Sequence, residues 1–304
     1  MESARSFIAG IEVWVPRGNV LVHSSGEYGD RVELARVSER STFRRGEGLP
    51  GAVWSVERPL VWNDLGSRFV RAEQARAVGI DVALALPVFG DSALTAVIVF
   101  LMSQTSSSPG CIEIWEANAD QRVLSHAGGH YSGCADFEKV SPLLQFPFGA
   151  GLPGGTFSAG KPVVMRDVRQ ATTFIRAGLA AQCGLQFAVG LPFRRGRRVE
   201  HVVTLVAAEN SPFLQTFEHW EAGLGSGDAR LALRASSVAV AEPAMREAPG
   251  ERLAEEVLAN GVPLVMPVKV VEEALLEGDA VPTLALGIPL RDGDGMNGVA
   301  CLVF

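Results

Sequence analysis

The sequence predicts an α+β protein built from three tandem copies of one domain type, and three observations predict it. A glycine-rich stretch recurs, reading GEGLPG at 46–51, GAGLPG at 149–154 and, in a degraded form, GERLAE at 250–255. Each copy is followed by a proline and an apolar pair, at Pro59, Pro162 and Pro263. Segments with the alternation typical of β-strands flank the copies. Self-similarity at a period of ~100 residues indicates a tandem array of one domain.

Composition and charge describe an ordinary globular chain. The protein has 304 residues, of which 47% are hydrophobic and 20% are charged, and its formal net charge is -7. The acidic balance argues against a non-specific nucleic-acid binder, which is normally basic. No apolar run is long enough to span a bilayer, and the N-terminus shows no secretion signal. We therefore expect a soluble cytoplasmic protein with no nucleic-acid or membrane partner.

The first unit, assigned to residues 1–107, opens with a predicted hairpin of strands over 11–15 and 20–23. Residues 32–37 are compatible with a short helix or with a third strand. A helix begins at Pro50, because a proline lacks the N–H that the first helical turn leaves unpaired. The remaining predicted elements are a strand over 60–62, a helix over 69–78, a hairpin over 82–88 and 94–102, and a linker over 103–110.

The second unit, residues 108–213, repeats this order, whereas the third, residues 214–304, keeps only the framework. In the second unit the last hairpin has a predicted turn at 194–198. Nothing in the third unit matches Asp64 or the Phe-x-Arg-Ala run that the first two units share. We therefore interpret the third unit as a degenerate copy.

The residue that follows the short helix tests this alignment. Units two and three have Gly160 and Gly261 there, both suited to a left-handed C-cap. Unit one has Glu57, for which the same backbone would cost ~1 kcal/mol of strain. The sequence therefore predicts that Glu57→Gly leaves the stability unchanged or raises it.

The order of these features resembles the GAF domain. The resemblance covers nearly the whole chain, well in units one and two and loosely in unit three. It implies that each unit is a six-stranded antiparallel sheet flanked by helices, with a pocket between the sheet and the loop-helix segment after the glycine-rich turn. GAF domains typically bind small molecules or mediate dimerisation. The signatures of their cyclic-nucleotide-binding, sulfoxide-reductase and bilin-binding versions are not found in this sequence.

Two polar pairs are the candidate ligand contacts in that pocket. Asp64 and Arg71 in unit one correspond to Asp167 and Arg176 in unit two. The resemblance places both pairs at the pocket mouth, where an arginine beside a carboxylate could clamp an anionic ligand. The alternative is a cap and salt bridge that order the loop.

Four aromatic residues are candidate apolar walls of the same pocket. They are Trp54, Phe69, Phe157 and Phe174. The alternative is that these side chains belong to the hydrophobic cores of their units.

Three further groups of residues suggest other chemistry. His126, His130 and Cys134 are spaced by four residues and raise a zinc site, but an intervening pair of glycines and the strand register argue against it. Cys134 and Cys183 raise a redox enzyme as a distant alternative. The arginine-rich turn at 194–198 is interpreted as a solvated turn, or as a docking patch for an acidic protein or a phosphate.

These observations predict a non-enzymatic sensory or regulatory protein. Its GAF-like domains are expected to bind a small molecule, to mediate protein–protein interaction, or to do both. The alternative is a pure interaction or dimerisation scaffold whose pockets are filled by their own side chains. A protein partner or a homodimer is expected, no metal site is predicted, and the sequence identifies no cofactor.

Overall fold

Three antiparallel sheets form the framework of the protein. A computed structural model describes residues 6–65, 69–104, 108–209, 211–222, 231–236, 250–269, 282–292 and 295–304. In this part of the chain the sheets have six, six and five strands, and helices lie between the strands. None of the helices described has the length and apolar composition that crossing a bilayer requires.

The first sheet has the strand order β3-β2-β1-β6-β5-β4. Its strands are β1 (Ile8–Arg17), β2 (Val20–Glu27), β3 (Thr42–Arg44), β4 (Leu60–Trp62), β5 (Val82–Phe89) and β6 (Leu94–Met102). Its helices are α1 (Val32–Arg40), α2 (Gly48–Val56) and α3 (Ala72–Ala77). The two predicted hairpins, β1–β2 and β5–β6, are confirmed, and the ambiguous segment after β2 is helical.

The second sheet has the order β10-β11-β12-β7-β8-β9. Its strands are β7 (Gly110–Ala117), β8 (Val123–Ser132), β9 (Gln145–Pro147), β10 (Val163–Met165), β11 (Leu185–Arg195) and β12 (Arg198–Ala208). Its helices are α4 (Ala135–Val140), α5 (Gly151–Ala159) and α6 (Ala177–Gln182), and a 3₁₀ turn covers Ser141–Leu143. Read from the opposite end, this is the strand order of the first sheet.

The third sheet has the order β14-β13-β17-β16-β15. Its strands are β13 (Thr216–Ala222), β14 (Leu231–Ser236), β15 (Leu264–Lys269), β16 (Pro282–Asp292) and β17 (Gly295–Val303), and its helix is α7 (Glu251–Asn260). The sixth strand implied by the resemblance would fall at 237–249, which lies outside the described residues. The domain limits at 107 and 213 stay predictions.

The three sheets share one irregularity, which fixes their equivalent positions. The first hairpin of each unit has a register shift directly before a tryptophan, at Trp14, Trp115 and Trp220. Two residues before each tryptophan stands a glutamate, namely Glu12, Glu113 or Glu218. These glutamates therefore occupy the same position on the first strand of each unit.

The helix predicted over 69–78 is shorter in the structure. It begins only at Ala72, because Arg71 has a non-helical backbone with φ -108° and ψ 30°. Phe69 and Arg71 both turn inward while Val70 between them is exposed. Residues 69–71 form a turn, in which the Ala72 N–H donates to the Phe69 carbonyl oxygen at 3.0 Å, so the helix prediction was wrong for these three residues.

Each sheet is buried on both faces. On β1, Ile11 and Val13 belong to a core that all three sheets share, whereas Trp14 packs beneath the helices of its own unit. Phe7 of the first unit and Phe213, the last residue assigned to the second unit, stack in the shared core with ring centres 4.1 Å apart. The helices therefore lie on the outside of the assembly and the sheets face one another.

The sheets close into a ring through equivalent edges. β4 lies against β8, and β15 lies against β2. In the second of these contacts, the backbone N–H of Val265 donates to Ser25 Oγ at 3.0 Å. Just after β10, Arg166 Nη2 donates to the carbonyl oxygen of Ser236 in β14 at 3.0 Å. Each unit thus presents the same edge strand to the next unit, and the third unit returns to the first.

The short helix of each unit ends in a left-handed residue, as predicted. Glu57, Gly160 and Gly261 have φ of 55°, 59° and 70°. An arginine of the same unit covers the cap in units two and three. Arg194 donates to the carbonyl oxygen of Gly160 at 2.8 Å, and Arg291 donates to that of Gly261 at 3.1 Å.

In unit one the covering arginine comes from unit two. Phe89 occupies the position of Arg194, at the same register shift of the last hairpin. Arg195 donates to the Glu57 carbonyl oxygen at 2.9 Å and to Glu57 Oε2 at 2.6 Å. Its guanidinium carbon lies 4.1 Å from the centre of the Phe89 ring. The turn at 194–198 is therefore not simply solvated, because two of its arginines hold helix caps.

We expect Glu57→Gly to change the free energy of unfolding by less than ~0.5 kcal/mol. The glycine relieves ~1 kcal/mol of left-handed strain and loses a partly exposed ion pair worth between about 0 and 1 kcal/mol. Arg195 keeps its bond to the carbonyl. Denaturant unfolding checks this beside Glu57→Gln, which keeps the strain and loses the charge and should be the less stable variant. A glycine variant less stable than the glutamine variant would show that the left-handed backbone is not strained.

Candidate functional site

Arg71 stands at the centre of a closed polar cluster in unit one. Its guanidinium donates to both carboxylate oxygens of Glu12, with Nη2 2.9 Å from Oε2, and to Ser38 Oγ. Glu12 also accepts from the Ser38 hydroxyl at 2.9 Å and from the Trp14 indole at 3.0 Å. Arg71 is 1% exposed and Glu12 is fully buried, so the cluster is sealed from solvent.

Aromatic rings enclose the Arg71 guanidinium. Its central carbon lies 5.0 Å from the ring centre of Phe69, 5.4 Å from Trp14 and 5.8 Å from Phe43. Cation–π attraction at this range adds to the ion pair. In the described part of the unit, its own side chains thus occupy the interior around the guanidinium.

Unit two repeats the cluster around Arg176, which is 4% exposed. Arg176 donates to both oxygens of Glu113, with Nη2 2.7 Å from Oε2, and to Ser141 Oγ at 2.7 Å. Thr204 and Tyr131 also donate to Glu113, at 3.1 Å and 3.3 Å. Two units with different surrounding sequences therefore build the same buried pair.

Both pairs are ionised in spite of their burial. Burial alone raises the pKa of Glu12, but the charge and hydrogen bonds of Arg71 outweigh it and bring the pKa below its usual value. The pKa of Glu113 is lowered in the same way by Arg176. Conversely, burial alone lowers the pKa of each arginine, and the facing glutamate outweighs it. Units one and two thus each carry a complete ion pair in the interior.

The predicted partners of the two arginines do not meet them. Asp64 is exposed in the loop after β4, and Asp167 binds the side chain of Arg169 at 2.9 Å. A buried guanidinium requires a buried counter-charge, which surface aspartates cannot supply. The pairings of Asp64 with Arg71 and of Asp167 with Arg176 were therefore wrong. A part in ligand binding for these four residues stays a prediction.

The four predicted aromatic residues are all buried. Phe69 and Phe174 pack over the guanidinium groups of the two clusters. Trp54 lies 4.8 Å from the guanidinium carbon of Arg45, and the ring of Phe157 is 5.3 Å from that of Phe148. The four belong to the hydrophobic cores of their units, which is the alternative that the sequence left open.

The glutamates are the residues that sequence reasoning missed. A signal was present, because each glutamate interrupts an apolar strand two residues before a tryptophan: Glu12-Val13-Trp14, Glu113-Ile114-Trp115 and Glu218-His219-Trp220. A charge inside a buried strand requires a partner. Its recurrence in three units would have identified the position.

Unit three keeps the glutamate without the arginine. Glu218 accepts from the Trp220 indole at 2.9 Å and from the backbone N–H of Gly250 at 3.1 Å. Within the described residues no basic side chain pairs with it. Burial therefore dominates and raises the pKa of Glu218, although those two hydrogen bonds oppose the rise.

We expect Glu218→Gln to raise the free energy of unfolding at pH 8 and to leave it unchanged at pH 4. A carboxyl whose pKa is raised by folding costs nothing below the unfolded pKa, and the cost grows as the pH rises toward the folded value. The gain is ~1.4 kcal/mol for each pKa unit of the rise. Urea titrations across this pH range check it, with the exposed Glu255→Gln as control. A glutamine variant that is less stable at pH 8 would contradict the expectation.

The histidines and cysteines considered for a zinc site and for a redox enzyme have different neighbours in the structure. His126 Nε2 is bonded to the Tyr131 hydroxyl at 2.8 Å, and His130 packs against Phe7 with ring centres 5.1 Å apart. Burial and the neighbouring Cys183 raise the pKa of Cys134 to about 12. In the described parts of the chain, no group of three ligating side chains could hold a metal ion.

Comparison with solved structures gives partial likenesses, and GAF-domain structures are among them. No family model matches the sequence, and no curated protein matches it. The chain is similar to the nlh2 GAF domain of A. aeolicus in an inactive state. The two are 21% identical over a match that covers 32% of this chain and 58% of that chain, with a TM-score of 0.27. A GAF domain/HD domain protein from Geobacter sulfurreducens is 11% identical over 32% of this chain and 63% of that chain, with a TM-score of 0.28.

A third likeness is to an enzyme. This is the free methionine-R-sulfoxide reductase from Neisseria meningitidis in complex with its substrate. It is 12% identical over 31% of this chain and 52% of that chain, with a TM-score of 0.25. The chain thus spans between half and two thirds of these three structures. Its function is therefore inferred from its own side chains.

Proposed function

We propose that the protein is a non-enzymatic, cytoplasmic regulatory protein that acts through protein–protein contacts. The observation that carries the proposal is the filling of the interior in units one and two by the Arg71–Glu12 and Arg176–Glu113 pairs. This supports the interaction scaffold over an anion receptor inside each unit.

The chemistry of the pair argues against an anionic ligand in the same space. Both Glu12 oxygens accept from Arg71, so an incoming anion would have to break an ion pair and then lie beside the displaced carboxylate. Separating a buried pair costs about 3–5 kcal/mol. A ligand in this position would need to recover that cost before it bound at all.

Exposed apolar side chains at equivalent positions support a contact role. Val70 and Ile175 directly precede the buried arginines, and each is 61% exposed. Phe148, at the entrance to the glycine-rich turn of unit two, is also exposed. Because Val70 and Ile175 recur at one place in two units, we take them as the candidate contact positions for another protein, including a second copy of this chain.

The cysteines favour a non-enzymatic role. A thiol reacts as the thiolate, and burial raises the pKa of Cys111 and of Cys301 well above the usual value. All four cysteines are unpaired, as is usual in a reducing compartment. Cys111 and Cys301 are thus buried core thiols, whereas Cys183 is half-buried.

Native mass spectrometry with sedimentation velocity tests the proposal. We expect the purified chain to show no tightly held small molecule. We also expect a self-associated species that is reduced in the Val70→Ser, Ile175→Ser double variant, whereas Val32→Ser on α1, also at an exposed apolar side chain, should leave it unchanged. A co-purified ligand that Arg71→Met and Arg176→Met remove would overturn the proposal. So would a purely monomeric chain that the double variant does not alter.

A further inference from the structure

Three hairpin ends meet beside the shared core and enclose a cavity of about 140 Å³. The β5–β6, β11–β12 and β16–β17 hairpins each contribute the same two positions to its wall. These are Val88 and Phe89, Phe193 and Arg194, and Leu290 and Arg291. The end of α5 and strand β13 complete the wall. The cavity therefore exists only because the three units are assembled, and it is separate from the filled interior of each unit.

The charged part of the wall is mainly basic. Lys161, Arg194 and Arg291 line the cavity, and Glu221 is the acidic side chain among the lining residues. Glu221 is already bonded to Arg234 at 2.8 Å. The Nε of Arg291 is buried and, within the described residues, has no hydrogen-bond acceptor. A guanidinium has five N–H groups and accepts none, and Arg291 uses Nη2 for the carbonyl oxygen of Gly261, so its other terminal N–H groups can donate to an anion in the cavity.

The remaining wall includes apolar side chains. Phe89, Phe193, Pro192, Ile288 and Leu290 face the space. A cavity of ~150 Å³ with apolar walls is large enough for benzene. The wall thus combines room for about one ring with three basic side chains.

We propose that this junction cavity binds a small organic monocarboxylate whose apolar body is about the size of one aromatic ring. The carboxylate lies toward Arg291 and Lys161, and the ring lies against the phenylalanines and prolines of the hairpins. Because the walls come from three units, an occupant contacts all of them at once. The proposal goes beyond the contact role given above and does not depend on the filled interiors.

Binding of sodium benzoate to the full chain tests the proposal, by calorimetry or ligand-observed NMR. For nine non-hydrogen atoms we expect a Kd on the order of 1 mM. Benzamide, which has the same shape without the charge, and inorganic phosphate, which has the charge without the ring, should each bind at least about tenfold more weakly. Arg291→Gln and Lys161→Met should each weaken benzoate about tenfold. Arg252→Gln, on the exposed side of α7 in the same unit, should have no effect.

Lys161 is exposed, so its variant keeps the test valid even where Arg291→Gln disturbs the helix cap. Benzamide binding as tightly as benzoate would overturn the proposal, and so would phosphate binding as tightly. Benzoate binding that neither variant alters would place the ligand elsewhere, and no binding at about 20 mM would exclude the site.

Discussion

Glu12→Gln will lower the free energy of unfolding at pH 7 by about 3–5 kcal/mol, the cost of leaving a buried charge without its partner. The substitution keeps the shape of the side chain and removes only the charge. Arg71 is almost completely buried and has no other counter-charge among its described hydrogen-bond partners. Urea unfolding measures the loss, and Glu73→Gln on the exposed face of α3 is the control, for which a change within ~0.5 kcal/mol is expected.

A double variant separates charge from shape. Replacing a buried pair by uncharged groups of similar volume is often nearly neutral. Glu12→Gln combined with Arg71→Met should therefore recover most of the stability that the single variant loses. A double variant as unstable as the single one would show that Glu12 stabilises the fold by its hydrogen bonds to Ser38 and Trp14 and not by its charge.

The effect of Glu12→Gln depends on pH in a defined direction. Arg71 keeps the pKa of Glu12 below its usual value of 4.5, so the stabilisation is complete above that value and is lost as the pH falls through the folded pKa. The native protein and the variant should converge in acid. In unit three, where Glu218 has no described basic partner, the same substitution acts in the opposite sense. A glutamate at this position thus stabilises units one and two and destabilises unit three.

Local features of the fold could be predicted from the sequence because their causes are local. The left-handed C-caps follow from Gly160 and Gly261, and the hairpins follow from strand alternation with a turn between. The buried pairs could not be predicted in the same way, because Arg71 and Arg176 lie 59 and 63 residues from their glutamates along the chain. The sequence favours Asp64 and Asp167, which are closer along the chain, but neither is buried enough to pair with a buried arginine.

The arrangement of the three sheets is a second property that alternation does not reveal. Strands that are covered on both faces read as nearly continuous apolar runs, and β5 has all eight of its residues buried. The sequence of β5 contained this signal, but in a single unit it reads equally as an ordinary buried strand. Only the contacts between units, such as Arg195 on the Glu57 cap, distinguish a closed ring from three separate domains.

Gly154→Ala will destabilise the protein by about 3 kcal/mol, the upper part of the range for overpacking a tight interior. A Cβ on Gly154 would lie 2.2 Å from the carbonyl oxygen of Pro147. That backbone is held in place, because the Gly149 N–H donates to the carbonyl oxygen of Gly154 at 2.9 Å. The clash is with the main chain and not with a flexible side chain, so relieving it requires a shift of the backbone.

The neighbouring glycine supplies the matched control. Gly155 lies in the same helix, and a Cβ there would meet nothing within 4 Å. Gly155→Ala should therefore leave the stability unchanged or raise it by up to ~1 kcal/mol through helix propensity. Thermal and urea unfolding of the two variants decide the matter. If the two variants change the stability equally, helix propensity alone accounts for the effect of each glycine. If Gly154→Ala destabilises the protein and Gly155→Ala does not, Gly154 is required because β9 passes the helix at contact distance. Glu255 holds the position of Gly154 in unit three and is exposed, in keeping with the second reading.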